Sequence, residues 1–192
     1  MLPENIIYLG IVFYIIGYYV YFRDMIFGQT RPNLVTWFIW MLAPFIGVFF
    51  QLKAGAGLSV LPVFLAGLGP LVVLVVSICK KNGYWKITTF DIACGIFALI
   101  SLLLYIVTHN LAISILFAIL ADALAFLPTF KKSWSNPESE SGLLYISTTM
   151  VNILGVLIIK DWIFTIYSFG LYLIVFNIIE VTIIYRKKIF KS

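Results

Sequence analysis

The sequence predicts an all-α integral membrane protein whose seven transmembrane helices form two three-helix bundles joined by a linker helix. Three observations support this fold class: the overall hydrophobicity, seven long apolar runs, and a spacing of basic residues that recurs in the two halves. Hydrophobic residues make up 62% of the chain, charged residues only 11%, and the mean hydropathy is +1.07. So little polar surface is typical of a protein that lies in lipid.

Seven apolar runs have the length of a membrane span. Each contains about 17 to 24 residues, and a helix needs roughly 20 to cross a hydrocarbon core of about 30 Å. Helices are expected because lipid offers no partner for a free backbone N–H or C=O, and the alternating segments of a membrane β-barrel are absent. The predicted spans are Ile6–Phe22, Leu34–Leu52, Leu58–Cys79, Ile87–Val107, Leu111–Phe130, Leu143–Ile159 and Trp162–Tyr185.

Charged or polar residues bound the first three spans. The first span runs into Arg23, and the polar link 28–33 separates it from the second, which ends beside Lys53. The third span closes on Lys80 and its neighbouring lysine. We expect residues 1–82 to form the first three-helix bundle.

The fourth span stands between two similar blocks. Asp91 near its start suits the positive end of a helix dipole, and residues 83–108 are predicted to form the linker helix. The second block repeats the first: Lys160 follows Lys53 by 107 residues, and Lys187 follows Lys80 by the same interval. Residues 109–192 are therefore the predicted second bundle, and 1–192 form a single membrane domain.

Basic residues predict the orientation of the chain. When the links are assigned alternately to two sides, eleven basic residues fall on one side and two, Lys53 and Lys160, on the other. The rule that cytoplasmic links are rich in Lys and Arg predicts an outside N-terminus and a cytoplasmic C-terminus, in a plasma or inner membrane. Anionic lipid headgroups account for the net charge of +5, so a nucleic-acid partner is not expected.

Asp122 is the sharpest polar signal inside a predicted span. It lies nine residues before Lys131 and thirteen after His109, which places it about 13 and 19 Å from the two ends of its helix. An ionisable residue near the bilayer centre costs roughly 2.5–3.5 kcal/mol on insertion scales. Asp122 is thus a candidate for proton coupling or solute binding, and the alternative is a structural carboxylate that clamps a neighbouring helix.

Two amides are further candidates. Asn152 lies near the middle of the sixth span and Asn177 nearer the cytoplasmic end of the seventh. Each amide is able to bind a solute or to act as a hydrogen bond between helices. Glu180, close in sequence to Arg186, is expected to pair with it at the surface.

Prolines within the spans mark candidate hinges. Pro44, Pro70 and Pro128 each remove one backbone hydrogen bond, which membrane helices tolerate where neighbours or a wet cavity satisfy the free carbonyl. Ordinary tolerance of proline in membrane helices is the alternative.

The aromatic residues favour an interfacial belt with one exception. Trp40, three residues after Trp37, is a candidate to stack against a flat solute. The expected belt contains Tyr18, Tyr19, Tyr21, Trp85, Trp134 and Tyr185.

No catalytic or metal-binding motif occurs in the sequence. His109 is the single histidine, and no phosphate loop, nucleophile elbow or cysteine cluster is present. We expect neither an enzymatic activity nor a cofactor.

Two segments resemble the SWEET and PQ-loop superfamily of membrane transporters. The segment LPTFKKSWSNPESES, residues 127–141, resembles the family's Pro-Gln segment, and LGVLIIKDW, residues 154–162, resembles its Tyr-Gly stretch before Lys-Asp-Trp. The Pro-Gln pair is replaced here by Pro128-Thr129, and Ser168 stands at about the place of an Asn early in the family's last helix. The family's sugar-binding residues therefore do not carry over one by one.

The resemblance implies a facilitator or proton-coupled transporter of a small solute, working by alternating access between the two bundles. A non-transporting receptor or sorting protein on the same fold, as in KDEL-receptor-like proteins, is the alternative. The expected partners are a small polar, sugar-like solute and the lipid bilayer; a homo-oligomer is left open. Because the polar residues of the two halves do not match, the pocket should be asymmetric, with most of its polar groups from the second half.

Overall fold

Seven α-helices make up most of the part of the chain that the structure describes. The computed structural model describes residues 2–80, 86–107 and 110–189, and within these ranges it contains no strand. Trp85 and His109, together with the basic residues Lys81 and Lys191, lie outside the described residues. The helices are α1 (Ile7–Ile26), α2 (Leu34–Lys53), α3 (Leu61–Lys80), α4 (Thr89–Val107), α5 (Leu111–Ser135), α6 (Gly142–Leu157) and α7 (Phe164–Ile189).

The lengths and apolar character of these helices fit a membrane protein. Five of them, α1, α2, α3, α5 and α7, are long and apolar enough to cross a bilayer. Among the described residues, α6 and the apolar stretch Thr89–Ile100 of α4 are shorter than a full span. The prediction of an all-helical chain is thus confirmed for the described residues, and five of the seven predicted spans have the length and apolar character to cross a membrane.

Helix α5 continues beyond its predicted end. It runs to Ser135 rather than Phe130, because the two lysines after Phe130 have good helix propensity and their long side chains reach a polar environment from within a helix. Asn136 ends the helix, and Pro137 begins a short 3-10 turn before α6.

Apolar side chains cover the outside of the bundle. Tyr19, Phe97 and Leu103 are 69%, 60% and 62% exposed, whereas Asp122 and Asn152 are almost completely buried. This inverted distribution, with polar groups inside and apolar groups outside, is the one a lipid environment favours.

Basic residues collect at one end of the bundle. Arg23, Arg31, Lys132 and Arg186 all lie in links or helix termini at the end where α1, α3, α5 and α7 finish. We call this the basic end. The opposite end, where α1 begins and α6 finishes, carries Lys53 and Lys160.

Helix packing follows a pattern that is nearly unchanged when the two halves are exchanged. Helix α1 packs along α6, as α2 packs along α5; α2 packs on α3, as α6 packs on α7. Exchanging α1 with α5, α2 with α6 and α3 with α7 converts each of these pairs into the other. Helix α4 lies outside this pattern and packs mainly on α5.

Two glycines bring α1 close to α6. A Cβ atom at Gly17 would lie 2.6 Å from Ser147 Cβ, and one at Gly10 would lie 2.8 Å from Val151 Cγ2. Small residues seven positions apart on one helix face permit this close approach, which is a common basis of helix association in membranes. The contact joins the first half of the chain to the second.

Three expectations about individual side chains were wrong. Tyr18 and Tyr21 are buried at 7% and 0% exposure, so they do not belong to an interfacial belt. Glu180 is completely buried and does not pair with Arg186. Six residues of α-helix turn a side chain by about 600°, so Glu180 and Arg186 point in different directions.

Candidate functional site

A small cavity lies inside the bundle at about half the depth of the helices. Six helices line it, all except α4 among the seven, and they come from both halves of the chain. The volume that the centre of a water molecule could occupy is about 40 Å³. Since one water needs about 10–15 Å³ by this measure, the cavity has room for a few small atoms.

Asp122 lies at the centre of α5 and faces this cavity. It is eleven residues from the first residue of the helix and thirteen from the last, and it is 1% exposed. Tyr172 donates a hydrogen bond of 2.9 Å from its hydroxyl to Oδ2 of the carboxylate. The other oxygen, Oδ1, has no hydrogen-bond partner among the described residues.

Asn152 contributes a second unpartnered oxygen. Its Nδ2 donates to the carbonyl of Thr148 at 2.7 Å, one turn earlier on α6, while its Oδ1 has no partner among the described residues. The side chain is 2% exposed and lines the cavity. A buried carbonyl oxygen without a donor is costly, so this group is available to a ligand or a water.

Asn177 joins α7 to α6 within the cavity wall. The hydroxyl of Thr148 donates to Asn177 Oδ1 at 3.0 Å, and Asn177 Nδ2 donates to the carbonyl of Leu173 at 2.6 Å. Both of its polar atoms are therefore engaged. Asn177 combines the two roles considered for it, because it lines the cavity and hydrogen-bonds a neighbouring helix.

Aromatic rings form the apolar part of the wall. Trp40 on α2 packs against Phe126 of α5 with ring centroids 4.4 Å apart, and its Nε1 lies 3.4 Å from the carbonyl oxygen of Asp122. Trp37 and Tyr145 pack on either side of Trp40 with centroids at 5.4 and 6.5 Å. These rings span the boundary between the two halves.

Two of the three candidate hinges border the cavity. Pro44 of α2 and Pro70 of α3 are lining residues, and each lacks the N–H that would bond to the carbonyl four residues earlier. Those carbonyls belong to Trp40 and Ala66, which also line the cavity. Pro128 lies within α5 but not on the cavity wall.

Ser168 does not reach the cavity. It is buried on α7 at 8% exposure, and its hydroxyl has no hydrogen-bond partner among the described residues. The structure thus brings together Trp40, Asp122, Asn152 and Asn177, and it leaves Ser168 outside this group.

Seven lining residues were not recognised in the sequence: the aliphatic residues Ala66, Leu144 and Leu173, and the four aromatic or polar residues Tyr18, Phe126, Tyr145 and Thr148. Tyr145 and Thr148 stand seven and four residues before Asn152, so they share its helix face, as Phe126 shares the face of Asp122. Tyr18 was assigned to the membrane interface. Phe126, Tyr145 and Thr148 could have been found by examining the positions four and seven residues from each polar residue in a predicted span, because those positions share its helix face.

A buried ion pair closes the basic end. Lys132 of α5 pairs with Glu140, and both side chains are only 1% exposed. Lys132 Nζ also donates to the carbonyl of Arg31 at 2.6 Å, and the Arg31 N–H donates to the carbonyl of Ser139 at 3.2 Å. The α1–α2 link of the first half is thereby fastened to the second half.

The opposite end is more open. A polar space of about 160 Å³, measured in the same way, lies between Glu4, Lys160 and the link 55–59. A narrower space of about 10 Å³ shares Ser59 and Ile159 with it and shares Asn152 with the central cavity. The Glu4–Lys160 ion pair beside this route is exposed, in contrast to the pair at the basic end.

Metal binding finds no support in the described part of the chain. Among the described residues, no three His, Cys, Asp or Glu side chains are grouped as a metal site requires.

Comparisons of the chain with protein-family models, with curated proteins and with solved structures find no match.

Proposed function

We propose that this chain is a membrane transporter or facilitator for a small polar solute. In this proposal α1–α3 and α5–α7 are two bundles, α4 is the linker helix between them, and the central cavity binds the solute. The resemblance to SWEET and PQ-loop transporters is part of the proposal. The helix packing supports this arrangement, because the contact of α1 with α6 corresponds to the contact of α5 with α2 when α1–α3 and α5–α7 are interchanged.

The observation that carries the proposal is the placement of Asp122. A carboxylate without a cationic partner among the described residues lies midway along α5, in a cavity that both halves of the chain enclose. Ionisable groups in this situation mark ion or solute pathways in membrane proteins. Solute sites of repeat-built transporters lie at the same depth, between the two repeats.

Alternating access requires a gate on each side of the site. Three separate spaces with shared lining residues lie in series from the opposite end to Asn152, and the buried ion pair Lys132–Glu140 lies at the basic end. Because basic links favour the cytoplasm, the opposite end faces outside in our proposal. We assign these spaces to the outer path and the ion pair to the cytoplasmic gate.

Uptake into proteoliposomes tests this function. The purified chain is reconstituted and supplied with a panel of radiolabelled sugars, amino acids, amines and vitamin precursors, with and without an imposed pH gradient. We expect at least one solute to accumulate or equilibrate faster than in protein-free vesicles, and Asp122→Asn to reduce this rate by about tenfold or more, since the change removes the charge at the site.

The control is Glu138→Gln, which changes an exposed carboxylate in the link between α5 and α6, where it lines neither the central cavity nor the space at the opposite end. It should leave uptake unchanged. Uptake that is insensitive to Asp122→Asn would remove this carboxylate from the mechanism. A rate that responds to the pH gradient only when Asp122 is present identifies it as the coupling group.

The closed basic end favours one alternative, a receptor that binds its ligand from one side. A buried ion pair that never opens would leave the cavity accessible from the opposite end alone. Ligand binding without any uptake would support this alternative.

A further inference from the structure

We infer that the solute is a small primary ammonium ion, bound between the carboxylate of Asp122 and the aromatic wall of the cavity. This inference deepens the proposed function and rests on it. It follows from the charge and the hydrogen-bonding character of the cavity, taken together.

The free groups of the site accept hydrogen bonds. Asp122 Oδ1 and Asn152 Oδ1 are both buried, both belong to residues that line the cavity, and both lack a donor among the described residues. Asn152 Nδ2 and Asn177 Nδ2 each give one of their two N–H donors to a backbone carbonyl of their own helix. The two unpartnered oxygens favour a ligand that supplies donors.

Backbone carbonyls strengthen this character. Pro44 and Pro70 deprive the carbonyls of Trp40 and Ala66 of their usual helical partners, and all four residues line the cavity. Helices α2 and α3 continue through these prolines, so each loses one helical hydrogen bond at a residue that lines the cavity. A ligand with several N–H groups matches such a set of acceptors.

The charge of the cavity calls for a cation. No lysine or arginine lines it, and every ion pair of the described residues lies near an end of the bundle. A buried carboxylate without compensation is costly, and an ammonium ion would remove that cost on binding. The ligand, rather than the protein, supplies the positive charge.

The aromatic wall fits the same ligand. Trp37, Trp40, Phe126 and Tyr145 surround the site with their rings, and a cation near a ring face is attracted by the ring quadrupole. The room available in this conformation, about 40 Å³ for water centres, limits the ligand to a few heavy atoms. A small primary amine, protonated at pH 7, satisfies both conditions.

Titration calorimetry of the purified full chain in nanodiscs tests the inference with three probes. Ethanolamine is the ammonium probe, ethylene glycol is its neutral analogue of equal length, and tetramethylammonium is a cation without N–H groups. We expect ethanolamine to bind, ethylene glycol to bind at least about thirtyfold more weakly, and tetramethylammonium to bind between them, because a buried charge pair contributes about 2 kcal/mol or more.

Variants assign the binding to the two oxygens. Asp122→Asn should weaken ethanolamine binding about thirtyfold or more, and Asn152→Leu should weaken it about tenfold or more, as expected for one hydrogen bond to a charged group. Glu138→Gln should have no effect, because this exposed carboxylate lines neither the cavity nor the space at the opposite end. Gel filtration and thermal unfolding of each variant show whether it is folded, and Asn152→Leu keeps the test valid if Asp122→Asn does not fold.

Three results would overturn the inference: no ethanolamine binding by the wild-type chain, equal binding of ethanolamine and ethylene glycol, or unchanged ethanolamine binding in folded Asp122→Asn. Uptake of a neutral solute through the same cavity would also overturn it while leaving the proposed transport function intact. Ethanolamine binding that follows the expected pattern, without uptake, would support the ligand class and contradict transport.

Discussion

Asp122 owes its character to the residues around it. On a helix surrounded by apolar side chains, a lone carboxylate would be expelled or neutralised; here Tyr172 holds one oxygen while the other borders a cavity. The structural role considered for this residue, a clamp on a neighbouring helix, is also present, since Tyr172 belongs to α7. One oxygen is used for packing and the other remains for a ligand.

Gly69 allows the ring of Tyr18, a residue of the cavity wall, to lie against helix α3. A Cβ atom at this position would lie 1.9 Å from Cζ of Tyr18, so the ring lies directly against the α3 backbone. We predict that Gly69→Ala displaces Tyr18 and lowers the free energy of unfolding by about 1–3 kcal/mol, the usual cost of overpacking. Denaturant unfolding in detergent measures this.

The control is Gly57→Ala, since nothing lies within 4 Å of a Cβ there. It should leave the free energy of unfolding almost unchanged. Equal stability of both variants would mean that Tyr18 does not occupy the described position.

Sequence reasoning located the residues that break a rule of membrane helices. Asp122, Asn152 and Asn177 are conspicuous because they are polar in apolar spans, and all three lie at the cavity. Tyr18 and Tyr145 are not conspicuous, because tyrosine is equally at home at a membrane interface and in a polar interior. Whether a tyrosine lies at the interface or in the interior depends on which helices pack against it, and hydropathy carries no information about those neighbours.

At the scale of elements, hydropathy predicted where each helix lies but not which helices touch. The α1–α6 contact depends on features such as Gly10 and Gly17, whose partners are more than 120 residues away. Glu180 illustrates the limit: its helix was recognised, yet its face was not, and it is buried against Ser133 of α5. The face of a helix that is buried can be predicted only when the helices that pack against it are known.

The ion pair between Lys132 and Glu140 is the strongest polar contact between elements at the basic end. We predict that Lys132→Met lowers the free energy of unfolding by about 3–5 kcal/mol, because it leaves the buried Glu140 carboxylate unpaired. The double variant Lys132→Met/Glu140→Met should recover most of this loss, since neither member of the pair is then left buried without its partner. Denaturant unfolding in detergent again gives the values.

The matched control is Lys131→Met, which changes an exposed neighbour on the same helix. It should alter the free energy of unfolding by less than about 1 kcal/mol. If Lys131→Met and Lys132→Met destabilise the chain equally, the pair is not buried as described.

The whole molecule combines a nearly symmetric pattern of helix packing with an asymmetric site. The packing of α1–α3 against α5–α7 is nearly symmetric, but Asp122, Thr148, Asn152 and Asn177 all belong to the second half. The first half supplies rings and prolines, including Trp37 and Trp40. In our account the first half shapes the cavity and the second half binds the solute.

The central claim is that this cavity is exposed alternately to the two faces of the membrane. Its most direct test is the reaction rate of Thr148→Cys, in a chain whose two native cysteines are replaced by serine, with an impermeant thiol reagent applied from either side of oriented vesicles. We predict reaction from the face of the opposite end, a shift toward the face of the basic end when Lys132→Met is added, and protection by the transported solute from both sides. Reaction from one face only, unchanged by Lys132→Met and by solute, would contradict the account.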